Sequence, residues 1–423
     1  MPERGAGAGP SRAELLRWAA WLGLGAVVCA SLPASSDPWA SGIPDSAGDA
    51  QDAQGVRDGG PGLWRSGFYR GANTSPDRYD DYQRAQQWRA SGNPATRLTA
   101  VREFLPSDLG WDGIRATGSA GVHTTLVNLT RYVEDDPRTV VSLAVPLFPA
   151  DRSLATLAGG RRGQYAHHFT RLAKALVDVG LAGSVDVCLG WEMNSSSSVP
   201  WALNGDPTGQ NPAYSAGNPE EGCAQYVAQW NSAADALKSV DSRISTCHNP
   251  ISGWDGTGPD PELMVPAEEC VDRYGIDHYD VDFTGRYPAD GVEDWLESWR
   301  ARYEGAFGVR YWEERARRER KGFCVPEHGV FRYGSYDSSF DFVEASPQRG
   351  GGDNPHFFPL LNARLAAMAA AGTDVYDCQF NYNERSAACL LTGFGGAAQR
   401  NREENALFPR AASAYRSLRW GSA

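Results

Sequence analysis

SVDVCLGWE, residues 184 to 192, is a short apolar run that ends on a lone carboxylate, Glu192. Its length and Val content predict a strand. Similar runs recur on either side: 64 to 70 (WRSGFYR), 98 to 105 (LTAVREFL), 138 to 147 (RTVVSLAVPL), 243 to 249 (RISTCHN), 271 to 279 (VDRYGIDHY), 323 to 330 (FCVPEHGV) and 374 to 382 (DVYDCQFNY), eight strands in all. Segments of helical character fall between them at 76 to 91, 163 to 179, 220 to 239, 291 to 320, 355 to 371 and 406 to 418. Within 163 to 179, Tyr165, Phe169, Leu172, Leu176 and Val177 share one face at helical spacing. Strands that alternate with helices predict βα units around a parallel sheet, and eight units predict a (β/α)8 TIM barrel. A doubly wound open sheet is the alternative, but no Gly-rich phosphate turn follows the first strand.

Composition narrows the partners. The 423-residue chain carries 40 Lys and Arg against 52 Asp and Glu, a net charge of -12, which offers no basic footprint to nucleic acid or an anionic membrane. Its 14 Trp and 17 Tyr suit core packing and also stacking on sugar faces. Arg4, Arg12 and Arg17 precede an apolar run from Trp18 to Leu32, so residues 1 to 34 read as a secretory signal, with an uncleaved anchor as the alternative. Residues 35 to 61, rich in Ser, Asp, Gly and Pro, read as a disordered linker. Residues 62 to 423 form the expected barrel domain, exported and monomeric. Loss of Cys29 with the signal would leave an odd number of the 8 cysteines, which argues against a dense disulfide framework. Cys188, Cys247, Cys324 and Cys378 read as buried thiols, and bridges involving Cys223, Cys270 or Cys389 stay open.

In such a barrel the C-terminal strand ends surround the active site. Glu192 closes the fourth predicted strand and Glu327 the seventh, so both are expected in one cavity. A retaining glycosidase needs one carboxylic acid and one carboxylate about 5 to 5.5 Å apart, with their pKa values driven apart. Trp191 and Met193 are suited to raising the pKa of Glu192, and Tyr279 could hold Glu327 ionised. A lone strand-end glutamate could equally cap a helix or pair with an arginine. Arg102 and Glu103 cannot both face inward because neighbouring strand residues alternate, and Arg102 is expected to orient substrate or a catalytic glutamate. Trp201 and Trp254, in polar loops after the fourth and fifth strands, are candidate sugar platforms. Trp191, Asn194 and His278 complete the expected substrate-binding set. His248 and His278 raise a zinc reading, but there is no His-x-His pair and no Cys-x-x-Cys, so no metal and no cofactor are expected. No Gly-x-Ser-x-Gly elbow supports a serine nucleophile.

Four stretches carry a resemblance: WEMN at 191 to 194, MVPAEECVDRYGIDHYD at 264 to 280, VPEHGV at 325 to 330 and GGGDNP at 350 to 355. Together they resemble glycoside hydrolase family 26, in the clan whose catalytic glutamates end strands four and seven, over most of residues 62 to 418. The resemblance implies Glu192 as general acid/base, Glu327 as nucleophile and Tyr279 as the tyrosine that contacts the nucleophile. The chain departs from the family at Trp191, where His is frequent and the wider clan usually has Asn. A polar contact near the sugar ring is thereby lost, which sets the family's usual substrate, β-1,4-mannan, in question. The expectation is an endo-acting, retaining β-glycosidase acting on a polysaccharide or oligosaccharide. A non-catalytic carbohydrate-binding barrel and a transglycosylase are the alternatives.

Overall fold

The computed structural model describes residues 62–69, 77–115, 120–195, 199, 201–203, 219–253, 259–282, 285–336, 342–381, 387–389, 391 and 407–421. The expected signal and linker, and the Trp254 position, lie outside them. Eight parallel strands follow the predicted runs: β1 Trp64–Tyr69, β2 Ala100–Phe104, β3 Val140–Val145, β4 Val185–Leu189, β5 Ser245–His248, β6 in two pieces (Arg273–Gly275 and His278–Asp280), β7 Gly322–Val330 and β8 Val375–Phe380. Each pairs with the next in order, and β8 pairs with both β7 and β1, so the sheet closes into a barrel. β4 is buried at every position, as a strand covered on both faces must be.

Helices α1 Asp77–Gly92, α2 Ala120–Asp135, α3 Ala166–Asp178, α4 Pro219–Val240, α5 Val292–Glu304, α6 Val309–Glu319, α7 Phe357–Ala370 and α8 Pro409–Ser417 form the outer layer. Sequence periodicity missed α2, whose Val and Thr content lowers helix propensity; burial of Leu126, Leu129 and Tyr132 against the barrel stabilises it instead. The predicted 291 to 320 helix is two, α5 and α6, broken between Gly305 and Gly308, where Phe307 adopts a φ of 52°. In α3 the buried face is His168, Phe169, Leu172, Ala173 and Leu176. Val177, placed on that face by periodicity, is 37% exposed.

A three-stranded antiparallel sheet of Arg332–Tyr336, Phe342–Glu344 and Ala387–Ala388 lies past the ends of β7 and β8. All seven described cysteines are buried and none is bridged among the described residues. Among those residues no helix is long and apolar enough to cross a membrane.

Candidate active site

Two backbone irregularities aim the two glutamates. After β4 the chain turns through Gly190 and Glu192, both at a φ of 54°. For a residue with a Cβ this left-handed conformation is unfavourable by about 1–2 kcal/mol. It is held from outside, since the Glu192 N–H donates to the Asn249 carbonyl at 2.7 Å. On β7 the cause is a bulge. Asp377 of β8 pairs with Val325, but Gln379 pairs with His328, so β7 carries one residue more than its neighbour. A bulge re-aims the side chain at the extra residue, and here it places Glu327 in the site while His328 faces the outer layer, against Asp377 at 3.0 Å.

Glu327 is 2% exposed and fully partnered. Arg102 Nη2 donates to its Oε1 at 2.8 Å and the Tyr279 hydroxyl donates to Oε2 at 3.0 Å. Arg102, itself buried, is fixed by a 3.0 Å bond from Nη1 to Ser142 Oγ, a 3.3 Å bond to Asn249 Oδ1 and the Phe104 ring 4.7 Å beneath its guanidinium. Glu103 turns the other way and accepts from the Phe104 backbone N–H. The alternation expected for β2 therefore places Arg102 inside.

Among the described residues Glu192 has no such donors to its side chain. Burial, with the Glu327 charge adding to it, raises its pKa to about 8, so it is a protonated acid at neutral pH. A third carboxyl completes the group. Asp277, between the two pieces of β6, is fully buried, and one oxygen each from Glu192, Asp277 and Glu327 lie within 4.8 Å of one another. Neither Asp277 oxygen receives a well-formed hydrogen bond among the described residues. Burial, with Glu327 close by, holds its pKa well above the usual carboxylate range, and the Asn249 amide opposes this too weakly. Arg102 and Glu327 thus form the ion pair of the pocket, flanked by two carboxyls whose burial favours the protonated form. Three carboxyls so placed could also ligate a cation.

Asp277 and Asn249 join this cluster, though neither is among the site residues expected from the sequence. A signal existed for Asp277: it precedes Tyr279 by two residues, and residues two apart in a strand share a face.

Other expected site residues lie elsewhere. His278, between Asp277 and Tyr279, faces outward: its ring stacks on Phe357, meets Trp299 edge-on, and its Nδ1 lies 3.1 Å from Ser252 Oγ. It is not a substrate contact. Trp201 is 1% exposed, with its ring N–H donating to the Trp191 carbonyl at 2.6 Å, so it is a packing residue rather than a sugar platform. Asn194 spends its amide on the backbone of Ile251, donating at 2.9 Å and accepting at 2.8 Å. It ties the β4 loop to the β5 loop. Trp191 is 6% exposed and stands edge-on to Phe104 and Trp201, forming a wall beside Glu192. His248 is buried among Trp230, Tyr274 and Trp312, and that burial lowers its pKa to about 3.

No family model matches the chain, and no curated protein matches it. Solved structures with a similar chain path include the catalytic domain of a family 26 endo-β-1,4-mannanase from Bacillus sp. JAMB-750, 14% identical with a TM-score of 0.45 over 78% of this chain and 79% of that one. A modular endo-β-1,4-mannanase from Cellulomonas fimi is 15% identical, with a TM-score of 0.45 over 86% and 75%. A β-glucosidase from Thermotoga maritima is 10% identical, with a TM-score of 0.46 over 85% and 98%. Likeness of that size says nothing of activity, and the chemistry has to be read from the side chains at the barrel mouth.

Proposed function

We propose that this protein is a retaining β-glycosidase acting on a polysaccharide or oligosaccharide. The observation that carries the reading is the pairing of unlike carboxyls: Glu192 and Glu327 present oxygens within 4.8 Å, one protonated and one bound to a guanidinium. That spacing suits direct attack by a carboxylate and is too short for the intervening water that inversion requires, about 6.5 to 9.5 Å between carboxyls.

In this mechanism Glu327 attacks the anomeric carbon as Glu192 passes its proton to the leaving oxygen. Glu192, now a carboxylate, draws a proton from the incoming water, and the glycosyl–Glu327 ester is cleaved. Arg102 and Tyr279 hold one Glu327 oxygen each, which orients the nucleophile before substrate arrives. No cofactor enters these steps. Export through the N-terminal segment, a single domain from residue 62 and an endo-acting cleft belong to the same proposal. The family resemblance favours β-mannan as the polymer and Trp191 beside the acid argues against it, so β-mannan is tested against others.

The test is a reducing-sugar screen over β-mannan, β-1,3-xylan, mixed-linkage glucan, xylan and microbial exopolysaccharides, with Glu327→Gln alongside. On an active substrate, NMR of the first product should show retained configuration, and a 2-deoxy-2-fluoro glycoside should label Glu327 covalently. Inverted product would overturn the mechanism. Binding to a polymer by calorimetry without turnover on any of them would favour the non-catalytic barrel.

A further inference from the structure

Below the catalytic layer the barrel interior is unusual. Such interiors are ordinarily filled by branched apolar side chains, but here Cys188, Cys247, Cys324 and Cys378 meet with Tyr376 and Ala100. Cys247 Sγ and Cys324 Sγ are 3.4 Å apart, and an Asp186 oxygen lies within 4.8 Å of both sulfurs. The space between them exists because β6 carries glycine there: a Cβ on Gly275 would lie 2.9 Å from Cys247 Sγ and 3.0 Å from Cys324 Sγ.

A disulfide does not fit this pair. The two cysteines stand on β5 and β7 with β6 between, so two inter-strand spacings put their backbones roughly 9–10 Å apart, beyond the ~7 Å that a disulfide spans. A metal ion does not need the sulfurs to touch. With metal–sulfur bonds of about 2.3 Å, tetrahedral ligands sit roughly 3.8 Å apart, close to what is found.

We propose that Asp186, Cys247 and Cys324 form a buried structural site for a zinc-class ion, with Cys188 packed beside it. Asp186 is oriented for this by Ser245 Oγ at 2.6 Å and the Tyr376 hydroxyl at 2.8 Å, the kind of outer shell that metal-bound carboxylates keep. On binding, Cys247 and Cys324 each lose a proton to solvent as the two metal–sulfur bonds form, and Asp186 adds a metal–oxygen bond. With two thiolates and one carboxylate around it, the divalent ion is left with one excess negative charge. Arg273, whose Nε is 3.3 Å from Asp186, balances it. The ion would enter during folding, since every donor is sealed inside the barrel.

Zinc in the purified full-length protein, measured by plasma mass spectrometry, should approach one per chain. Refolding with cobalt(II) should give thiolate-to-cobalt charge-transfer absorption. Cys247→Ser should lower metal affinity by more than the about 10- to 100-fold that loss of an outer-shell partner costs, while Cys378→Ser should retain it. Should Cys247→Ser fail to fold, the cobalt spectrum of the refolded wild type decides by itself. Zinc far below one per chain both as purified and after refolding with excess zinc, together with no cobalt–thiolate band, would overturn the site.

Discussion

The turn after β4 and the bulge in β7 each deliver one glutamate to the same pocket, and they deliver opposite chemistry. Glu327 arrives among donors, with a guanidinium and a phenol on its two oxygens. Glu192 arrives on a left-handed backbone, 8% exposed, among ring walls and beside another acid. Residue type is the same on both sides, so the division of labour comes from neighbours. In the proposed mechanism the carboxyl given partners for its charge serves as the nucleophile, and the one held by burial in its protonated form serves as the acid.

The largest effect tests the nucleophile side. Glu327→Ala should lower kcat on an activated aryl glycoside by about 10^4-fold or more, and added azide should restore turnover by giving a glycosyl azide of inverted configuration. If azide returned the retained product instead, the two roles would have to be exchanged. Glu192→Gln comes next, and its loss should depend on the leaving group. Poor leaving groups need the proton and should slow by about 10^2- to 10^4-fold, whereas a dinitrophenyl glycoside should react through the first step almost unimpaired. Equal loss on both substrates would remove Glu192 from proton transfer.

The asymmetry also predicts a pH profile. The acid must be protonated, so kcat/KM should fall on the alkaline side with a midpoint near the Glu192 value of about 8. Stability follows the same sign. Between its ordinary 4.5 and about 8 the folded state holds a proton on Glu192 that the unfolded state has released, so folding stability falls as pH rises through that window. Asp277, raised for the same reason, contributes in the same direction. Denaturant melts at pH 5 and pH 8 check this: Glu192→Gln, which cannot ionise, should flatten part of the difference.

How much of this was legible beforehand follows from where each signal resides. Strand-end position and alternation are properties of short sequence windows, so the eight strands and the opposite facing of Arg102 and Glu103 are legible there, but which of the two turns inward is not. The aiming of Glu327 could not, because alternation from Cys324 would turn it outward and only pairing with β8 reveals the extra residue. The placement of Trp201 and Asn194 is hidden for a related reason. The polar stretch around Trp201 reads as an exposed loop, but its indole N–H bonds to the Trp191 backbone, and the Asn194 amide bonds to that of Ile251. Such contacts join loops that sequence windows see separately. Asp277 was readable from its spacing to Tyr279 and was passed over inside a longer motif.

The smallest effects come from two adjacent residues, and they sharpen the contrast most because only the face of the strand differs. Tyr279 turns inward and gives one hydrogen bond to a charged oxygen, worth about 1.5–3 kcal/mol. Tyr279→Phe should therefore lower kcat by about 10- to 100-fold, and the melting temperature by about 2–5 °C. His278 turns outward into the rings of Trp299 and Phe357. Burial keeps its imidazole neutral, with the pKa well below the ordinary histidine range, so His278→Phe substitutes one uncharged ring for another and gives up the Ser252 contact. That contact is worth about 1 kcal/mol and should lower the melting temperature by about 2 °C or less in a chain of this size, leaving kcat/KM within about twofold of wild type. Should His278→Phe reduce activity as strongly as Tyr279→Phe, the outer layer of β6 would have to act on the nucleophile, and the inward face alone would no longer define the site.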